Sequence, residues 1–333
     1  MGERAKVRLH VQNHPGQLPV FQATEAVWNA AAAQFPNLAE RLDVTIGWTE
    51  DDFSAAMASA EILVTWTAVL RERFPTVAPR LRMIFVTSSG LDPIAPFDWL
   101  PPGCILVNNK GTHGAKAGEW GLMAILMLAN DMPRHVTNQR DRRWDKTFSS
   151  VVNGQTLVAL GVGNLAGPTL RHARAFGMHV VGVRRTAAAH PDCDEVVAVA
   201  ELGDVLPRAD YLLIACPLTD ATRGIVSRER LGRMKPTAGV INMARGGIID
   251  QDALCDLLDD GRLAGAVLDV VTPEPLPPDS RVWTTRNLIL SPHVSADDPA
   301  TYIPRSLEIF FENLRHWFDG TPLPNRVDTA RGY

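Results

Sequence analysis

A chain of 333 residues with 46% apolar side chains is long enough for two domains, each with a sizeable core. Its 33 basic and 37 acidic residues leave a formal charge of −4, which gives no broad basic field for nucleic acid or an anionic membrane surface. Cys104, Cys193, Cys216 and Cys255 are scattered, with no Cys-x-x-Cys and no His-Glu-x-x-His, so neither a disulfide framework nor a metal site is expected. Met1 to Val20 lacks an apolar core of signal-peptide length, and no run of 18 apolar residues occurs, which reads as a soluble, cytoplasmic protein.

In chain order, Val7 to Val11, Val44 to Trp48, Ile62 to Thr65, Met83 to Thr87 and Cys104 to Asn108 are apolar runs of strand length. Thr24 to Gln34 and Asp51 to Ala60, between them, have helical spacing. Repeated strand–helix units predict a parallel sheet covered by helices. A long helix is predicted over about Ala117 to Asn130, with Glu119 near its start and a break at Pro133. The basic cluster Arg140 to Lys146, interrupted by Asp141 and Asp145, reads as a solvated or subunit-facing helix end. A second series begins at Thr156, with strands over Thr156 to Leu160, His179 to Val183, Tyr211 to Ala215, Gly239 to Asn242, Gly265 to Asp269 and Leu288 to Leu290. Proline stiffens the loop Pro273 to Pro278 around Glu274. Tyr302 to Phe318 closes the chain as an amphipathic helix stopped by Gly320.

The second series opens with a strand that runs directly into Gly161-Val162-Gly163-Asn164-Leu165-Ala166. In a G-x-G-x-x-A turn the two glycines permit a tight bend and close backbone approach to a pyrophosphate, and the alanine permits close helix–strand packing. The following helix, about Pro168 to Phe176, would turn its N-terminal amides toward that pyrophosphate. Arg184, 21 residues beyond Gly163, stands where an NAD-specific site wants a carboxylate for the ribose 2′-hydroxyl. Guanidiniums at Arg184 and Arg185, with the Thr186 hydroxyl, would instead hold a 2′-phosphate. The predicted cofactor is therefore NADP(H) in preference, with NAD(H) possible.

Three residues of the last third carry the chemistry. Arg245 lies in Asn242-Met243-Ala244-Arg245-Gly246-Gly247, Glu274 in Val270-Val271-Thr272-Pro273-Glu274-Pro275, and His293 in Ser291-Pro292-His293-Val294. Each follows an apolar run of a buried parallel strand, and residues past the carboxyl ends of such strands line the ligand crevice. A carboxylate-binding cation, an acid and a titratable imidazole therefore reach one edge of one sheet.

The chain resembles the D-isomer-specific 2-hydroxyacid dehydrogenases, in particular the glyoxylate/hydroxypyruvate reductase branch. The likeness covers nearly the whole sequence. It rests on the glycine turn, Ala215-Cys216-Pro217-Leu218-Thr219, the Arg245 and Glu274 segments, Ser291-Pro292-His293-Val294, and the 29 residues from Arg245 to Glu274. Ser88-Ser89-Gly90-Leu91-Asp92 resembles the family's substrate loop, and Asn108 with Gly111, followed by Glu119-Trp120, its hinge and first long helix. The sequence departs from the pattern at Arg184, where an acid is usual, at Ser88 for a glycine, at Trp120, and at Thr272 for a common acid.

The resemblance implies an α/β protein of two doubly wound parallel-sheet domains. A Rossmann cofactor domain (110–296) would be inserted into a flavodoxin-like substrate domain (1–109 and 297–333). It also implies a homodimer built on the cofactor domain, with the helix after Glu119 and the arm near Trp144 at the interface. In keto-acid reduction His293 would donate the proton, Glu274 would orient it, and Arg245 would grip the substrate carboxylate. Backbone N–H groups of Ser89 and Gly90 would complete that grip, and Trp66 and Thr67 would wall the pocket beside the C3 group, favouring small acids. Cys216 and Pro217 would flank the cofactor, and Asp269 would face the nicotinamide carboxamide. The partner implied is a small 2-keto or 2-hydroxy acid. Two other readings remain open: a phosphite dehydrogenase-like oxidoreductase, and a dinucleotide-sensing binding protein without turnover.

Overall fold

A computed structural model describes residues 5–332. The chain forms two compact units: one runs up to Thr112 and resumes at Asp298, and the other spans His113–Asp297.

The first unit is built on five parallel strands: β1 (Val7–Gln12), β2 (Leu42–Gly47), β3 (Ile62–Thr65), β4 (Met83–Val86) and β5 (Ile105–Val107). Their order, β2-β1-β3-β4-β5, is the flavodoxin-like doubly wound arrangement. Every residue of β3 and β4 is buried, as expected where helices cover both faces of a parallel sheet. The closing helix Tyr302–Asp319 returns to this unit, and its Phe310 packs at ring-centroid distances of 5.9 Å from Trp28 and 5.5 Å from Phe85. Burying such a ring contributes roughly 1.5–3 kcal/mol. Gly320 ends the helix in the left-handed region at φ 66°, where a side chain would be strained.

β2 starts two residues earlier than the sequence reading and leaves Trp48 out. Leu42 is buried and so begins the strand. A capping box ends it: Thr49 Oγ1 accepts from Asp52 N–H at 3.1 Å, and the Asp52 carboxylate accepts from the N–H groups of Trp48 and Thr49, each at 2.9 Å. Those bonds starting the helix Glu50–Met57 hold Asp52 at a pKa of about 2. The helix Thr67–Arg73, directly after β3, was not anticipated.

The second unit contains β6 (Thr156–Leu160), β7 (His179–Arg184), β8 (Glu195–Ala198), β9 (Tyr211–Ile214), β10 (Gly239–Asn242), β11 (Gly265–Leu268) and β12 (Leu288–Leu290). They form one parallel sheet in the order β12-β11-β10-β9-β6-β7-β8. The order reverses at β6, which gives the Rossmann arrangement with one added strand. β8 escaped the sequence reading because it is a half-buried edge strand of four residues. The long helix spans Gly114–Ala129, and Pro133 does not simply interrupt it: Pro133 lies in the first turn of a new helix, Met132–Arg140. Proline suits that position because the amide it lacks has no partner there.

Cys104, Cys216 and Cys255 are buried and all four thiols are free. Burial pushes the Cys104 and Cys216 thiols up to about 12, so they act as small apolar side chains. No helix among the described residues is long and apolar enough to cross a membrane.

Candidate active site

The reversal of strand order puts a crevice at the carboxyl ends of β6 and β9, and the glycine turn lies there. Gly161 has φ +99°, and a Cβ on it would stand 2.7 Å from Cys216 N and 2.8 Å from Ala215 O. Only glycine fits where the turn meets the strand end leading to Cys216 and Pro217. A Cβ on Gly163, in contrast, would meet nothing within 4 Å, so its backbone is open to a ligand. Gly163 O accepts from Gly167 N–H at 2.9 Å, closing the turn as the helix Gly167–Ala175 begins. Exposed Gly163 and Asn164 with half-buried Leu165 thus form a cradle that fits a dinucleotide pyrophosphate.

Arg184 ends β7 beside this cradle, since Gly161 N–H donates to Val183 O at 2.8 Å. Its guanidinium reaches Ala188 O at 3.4 Å, and Arg185 and Thr186 are exposed. One acid near the helix start escaped the sequence reading: Asp192 lies 3.4 Å from where a Gly167 Cβ would be, and Arg171 binds its carboxylate at 2.8 Å.

The chemical residues follow β10, β11 and β12, which are neighbours in the sheet. Asn242, fully buried at the end of β10, shapes the turn to Arg245: its side chain accepts from Ala244 N–H at 3.1 Å and donates to Arg245 O at 3.0 Å. Gly246 is obligatory there, because a Cβ would lie 2.1 Å from Val271 C. The Arg245 guanidinium donates to Ala244 O at 2.7 Å.

Glu274 and His293 meet directly. His293 Nδ1 lies 2.7 Å from Glu274 Oε2, while Glu274 Oε1 accepts from Val271 N–H at 3.0 Å. The bond to Glu274 raises the pKa of His293 above the ordinary imidazole value, against the opposing effect of burial. Burial also works against ionised Glu274, but the bonds from His293 and Val271 and the charges of His293 and Arg245 prevail and hold it below the usual carboxylate range. The pair therefore favours imidazolium and carboxylate together.

His293 has φ +55°, a conformation costing a non-glycine residue about 1–2 kcal/mol. Asp269, only 1% exposed, holds it in place. Its main-chain oxygen accepts from His293 N–H at 2.8 Å. Its carboxylate accepts from the Ser291 hydroxyl at 2.6 Å and from Val294 and Ser295 N–H at 2.9 Å each. These bonds tie the Asp269 carboxylate to the loop that carries His293.

In the first unit, the expected substrate residues lie at the carboxyl ends of β3 and β4. Trp66 is half-buried, stacked on Phe21 with centroids 6.2 Å apart, and Thr67 is 7% exposed. Asn108, expected at the hinge, and its neighbour Asn109 hold the Ser89–Gly90 loop. Asn108 Nδ2 donates to Ser89 O at 3.2 Å, Asn109 Nδ2 to Thr87 O at 3.1 Å, and the Ser89 hydroxyl to Asn109 O at 2.9 Å.

A reversed-order parallel sheet, a glycine cradle at its switch point and an imidazole–carboxylate pair on the same edge fit a dinucleotide-binding fold with a candidate acid–base group. The sequence model of the D-isomer specific 2-hydroxyacid dehydrogenase NAD binding domain matches residues 122–295. That is more than half of the chain, and the chain belongs to this family. D-3-phosphoglycerate dehydrogenase of Methanocaldococcus jannaschii is 30% identical over 263 residues, 77% of this chain and 49% of that protein. The chain thus spans about half the length of that relative. A D-isomer specific 2-hydroxyacid dehydrogenase from Xanthobacter autotrophicus Py2, solved with NADPH and MES, is 26% identical over 99% of this chain and 100% of that one, with a TM-score of 0.83. An NADPH-dependent glyoxylate/hydroxypyruvate reductase from Sinorhizobium meliloti, solved with NADP and sulfate, is 25% identical over 98% of this chain and 100% of that one, with a TM-score of 0.81.

Proposed function

We propose that the protein reduces a small 2-keto acid, of the glyoxylate or hydroxypyruvate kind, with NADP(H) as its preferred cofactor. The observation that carries this reading is the 2.7 Å His293–Glu274 pair on the sheet edge that also presents Arg245. A nicotinamide held at the glycine cradle would supply the hydride for the carbonyl carbon. Negative charge then grows on the carbonyl oxygen, and His293 donates a proton to that atom. Glu274 holds the imidazole by Nδ1, which leaves Nε2 as the nitrogen that gives the proton. Arg245 binds the substrate carboxylate through its planar fork. For the loop Ser88–Asp92 we propose carboxylate binding through the N–H groups of Ser89 and Gly90, and for Trp66 and Thr67 a wall that selects small side chains. Support for the substrate class comes from the glyoxylate/hydroxypyruvate reductase among the solved relatives. Turnover of glyoxylate and hydroxypyruvate, measured beside oxidation of D-3-phosphoglycerate, tests it.

The preference for NADP(H) rests on Arg184 beside the glycine cradle and on the two solved relatives with NADPH or NADP bound. Arg184→Asp is expected to lower kcat/KM for NADPH relative to NADH by about tenfold to a hundredfold, through one lost charge-assisted contact and one added repulsion. An unchanged ratio would remove Arg184 from the cofactor site.

We also propose a homodimer. Trp144, Phe148 and Val151 are 93%, 94% and 77% exposed along one irregular segment, and large exposed apolar side chains support a protein contact there. Light scattering should give twice the chain mass of 36.4 kDa. The double variant Trp144→Asp, Phe148→Asp should give the single-chain mass, and an unchanged dimer would place the contact elsewhere.

A further inference from the structure

The loop that carries His293 is fastened at both ends. Asp269 holds Ser291 to Ser295. The far end is held by His113, the first residue of the second unit, at Ala296 and Asp297, the last. His113 Nδ1 lies 3.2 Å from Ala296 O and 3.5 Å from Asp297 Oδ1. A carbonyl oxygen can only accept, so Nδ1 carries the proton and donates it. The imidazole is anchored in turn, because His113 caps the sixteen-residue helix Gly114–Ala129 and its carbonyl accepts from Ala117 N–H at 3.0 Å.

The chemistry of the position is selective. Both side chains are mostly buried, with 16% of His113 and 23% of Asp297 exposed. Among the charged groups that act on His113 are Asp297, Arg245 and His293, and Asp269 also acts on Asp297. Burial lowers the pKa of His113 below the ordinary imidazole value, and the charges of Arg245 and His293 act the same way. Asp297 and the bond to Ala296 oppose the shift without cancelling it. Burial thus favours the neutral form of His113, which fastens the loop without adding a cation beside His293. The strained backbone at His293 needs restraint from both sides.

Given the reading of His293 as proton donor, we propose that His113 is a positioning residue for it. Its Nδ1–H fixes the Ala296–Asp297 end of the loop to the start of the Gly114–Ala129 helix, and so holds the His293 ring against Glu274.

The test compares H113L with H113N in the full-length protein. Asparagine stays neutral and offers an amide N–H near the place of Nδ1, whereas leucine fills the space and donates nothing. The first readout is the titration of the His293 ring by NMR, its signals identified by their loss in H293N. The second is kcat for keto-acid reduction. In H113L the His293 midpoint should fall toward the ordinary imidazole value and kcat should drop roughly tenfold to a hundredfold, with KM for the dinucleotide within about twofold. In H113N both readouts should stay near wild type. If H113L does not fold, H113Q, whose amide lies one carbon further out, takes its place. A His293 midpoint unchanged in H113L, or an equal loss in H113N, would overturn the proposal. A wild-type protein that turns over no keto acid would refute the reductase reading alone, because the NMR comparison still decides the role of His113.

Discussion

His293→Ala is expected to lower kcat for keto-acid reduction by about a thousandfold while leaving the Kd for the dinucleotide within about twofold. Proton transfer from a positioned side chain accelerates such steps by roughly 10²–10⁴, and His293 is the imidazole that Glu274 holds. Because His293 sits at φ +55°, alanine adds backbone strain to the loss of the proton. His293→Asn separates the two, since asparagine tolerates the left-handed region and cannot serve as the acid. Both variants should lose the same activity. The pH profile checks the role of the partner. Reduction requires imidazolium, so the rate should be highest below the raised pKa of His293 and fall as pH rises through it. The pair itself is intact from the lowered pKa of Glu274 up to that limb. Glu274→Gln keeps a bond acceptor but removes the charge, so the alkaline limb should move to lower pH. A limb that stays in place would dissociate Glu274 from the titration of His293. Turnover largely retained by His293→Asn would remove it as the acid.

Arg245→Ala is expected to lower kcat/KM for the keto acid by two to nearly four orders of magnitude, corresponding to about 3–5 kcal/mol for two charge-assisted bonds to a carboxylate. Dinucleotide affinity should change little. Arg245→Lys keeps the charge but loses the planar fork, so it should recover only part of the loss and remain about tenfold or more below wild type. Measured kcat and KM separate the contributions. A loss in KM alone means the fork binds the acid equally before and during reaction, and a loss in kcat means it also stabilises the developing oxyanion. Full activity in Arg245→Lys would show that a point charge suffices and that the guanidinium geometry is irrelevant.

The candidate site was legible where its residues lie just past a buried strand. The runs Gly239–Asn242, Gly265–Leu268 and Leu288–Leu290 are apolar nearly throughout because parallel strands are covered on both faces. Their ends therefore place Arg245, Glu274 and His293 without further information. The position of Arg184 at the end of β7 was legible by counting from Gly163, since the strand–helix–strand unit has a nearly fixed length. The supports of the site were not legible. Asp269 reads as one more polar residue at a strand end, and only the fold turns the amides of Val294 and Ser295 onto its carboxylate. His113 is far in sequence from the Ala296 carbonyl that it binds, and a lone histidine carries no pattern. In the first unit, Asn108 and Asn109 look like hinge residues, and their grip on Ser89 appears only when β4 and β5 lie side by side. β8 was not legible for another reason: Glu195–Ala198 is a four-residue run that opens on a charge and is half-buried throughout, so it carries little periodic pattern.

The most direct test is absorbance at 340 nm with NADPH and NADH each offered against glyoxylate, hydroxypyruvate, pyruvate and phenylpyruvate. Oxidation of NADPH, faster than that of NADH and fastest with the two smallest polar acids, is the predicted result. Measurable NADPH binding without oxidation in the presence of any of these acids would contradict the reductase reading and favour a dinucleotide sensor instead.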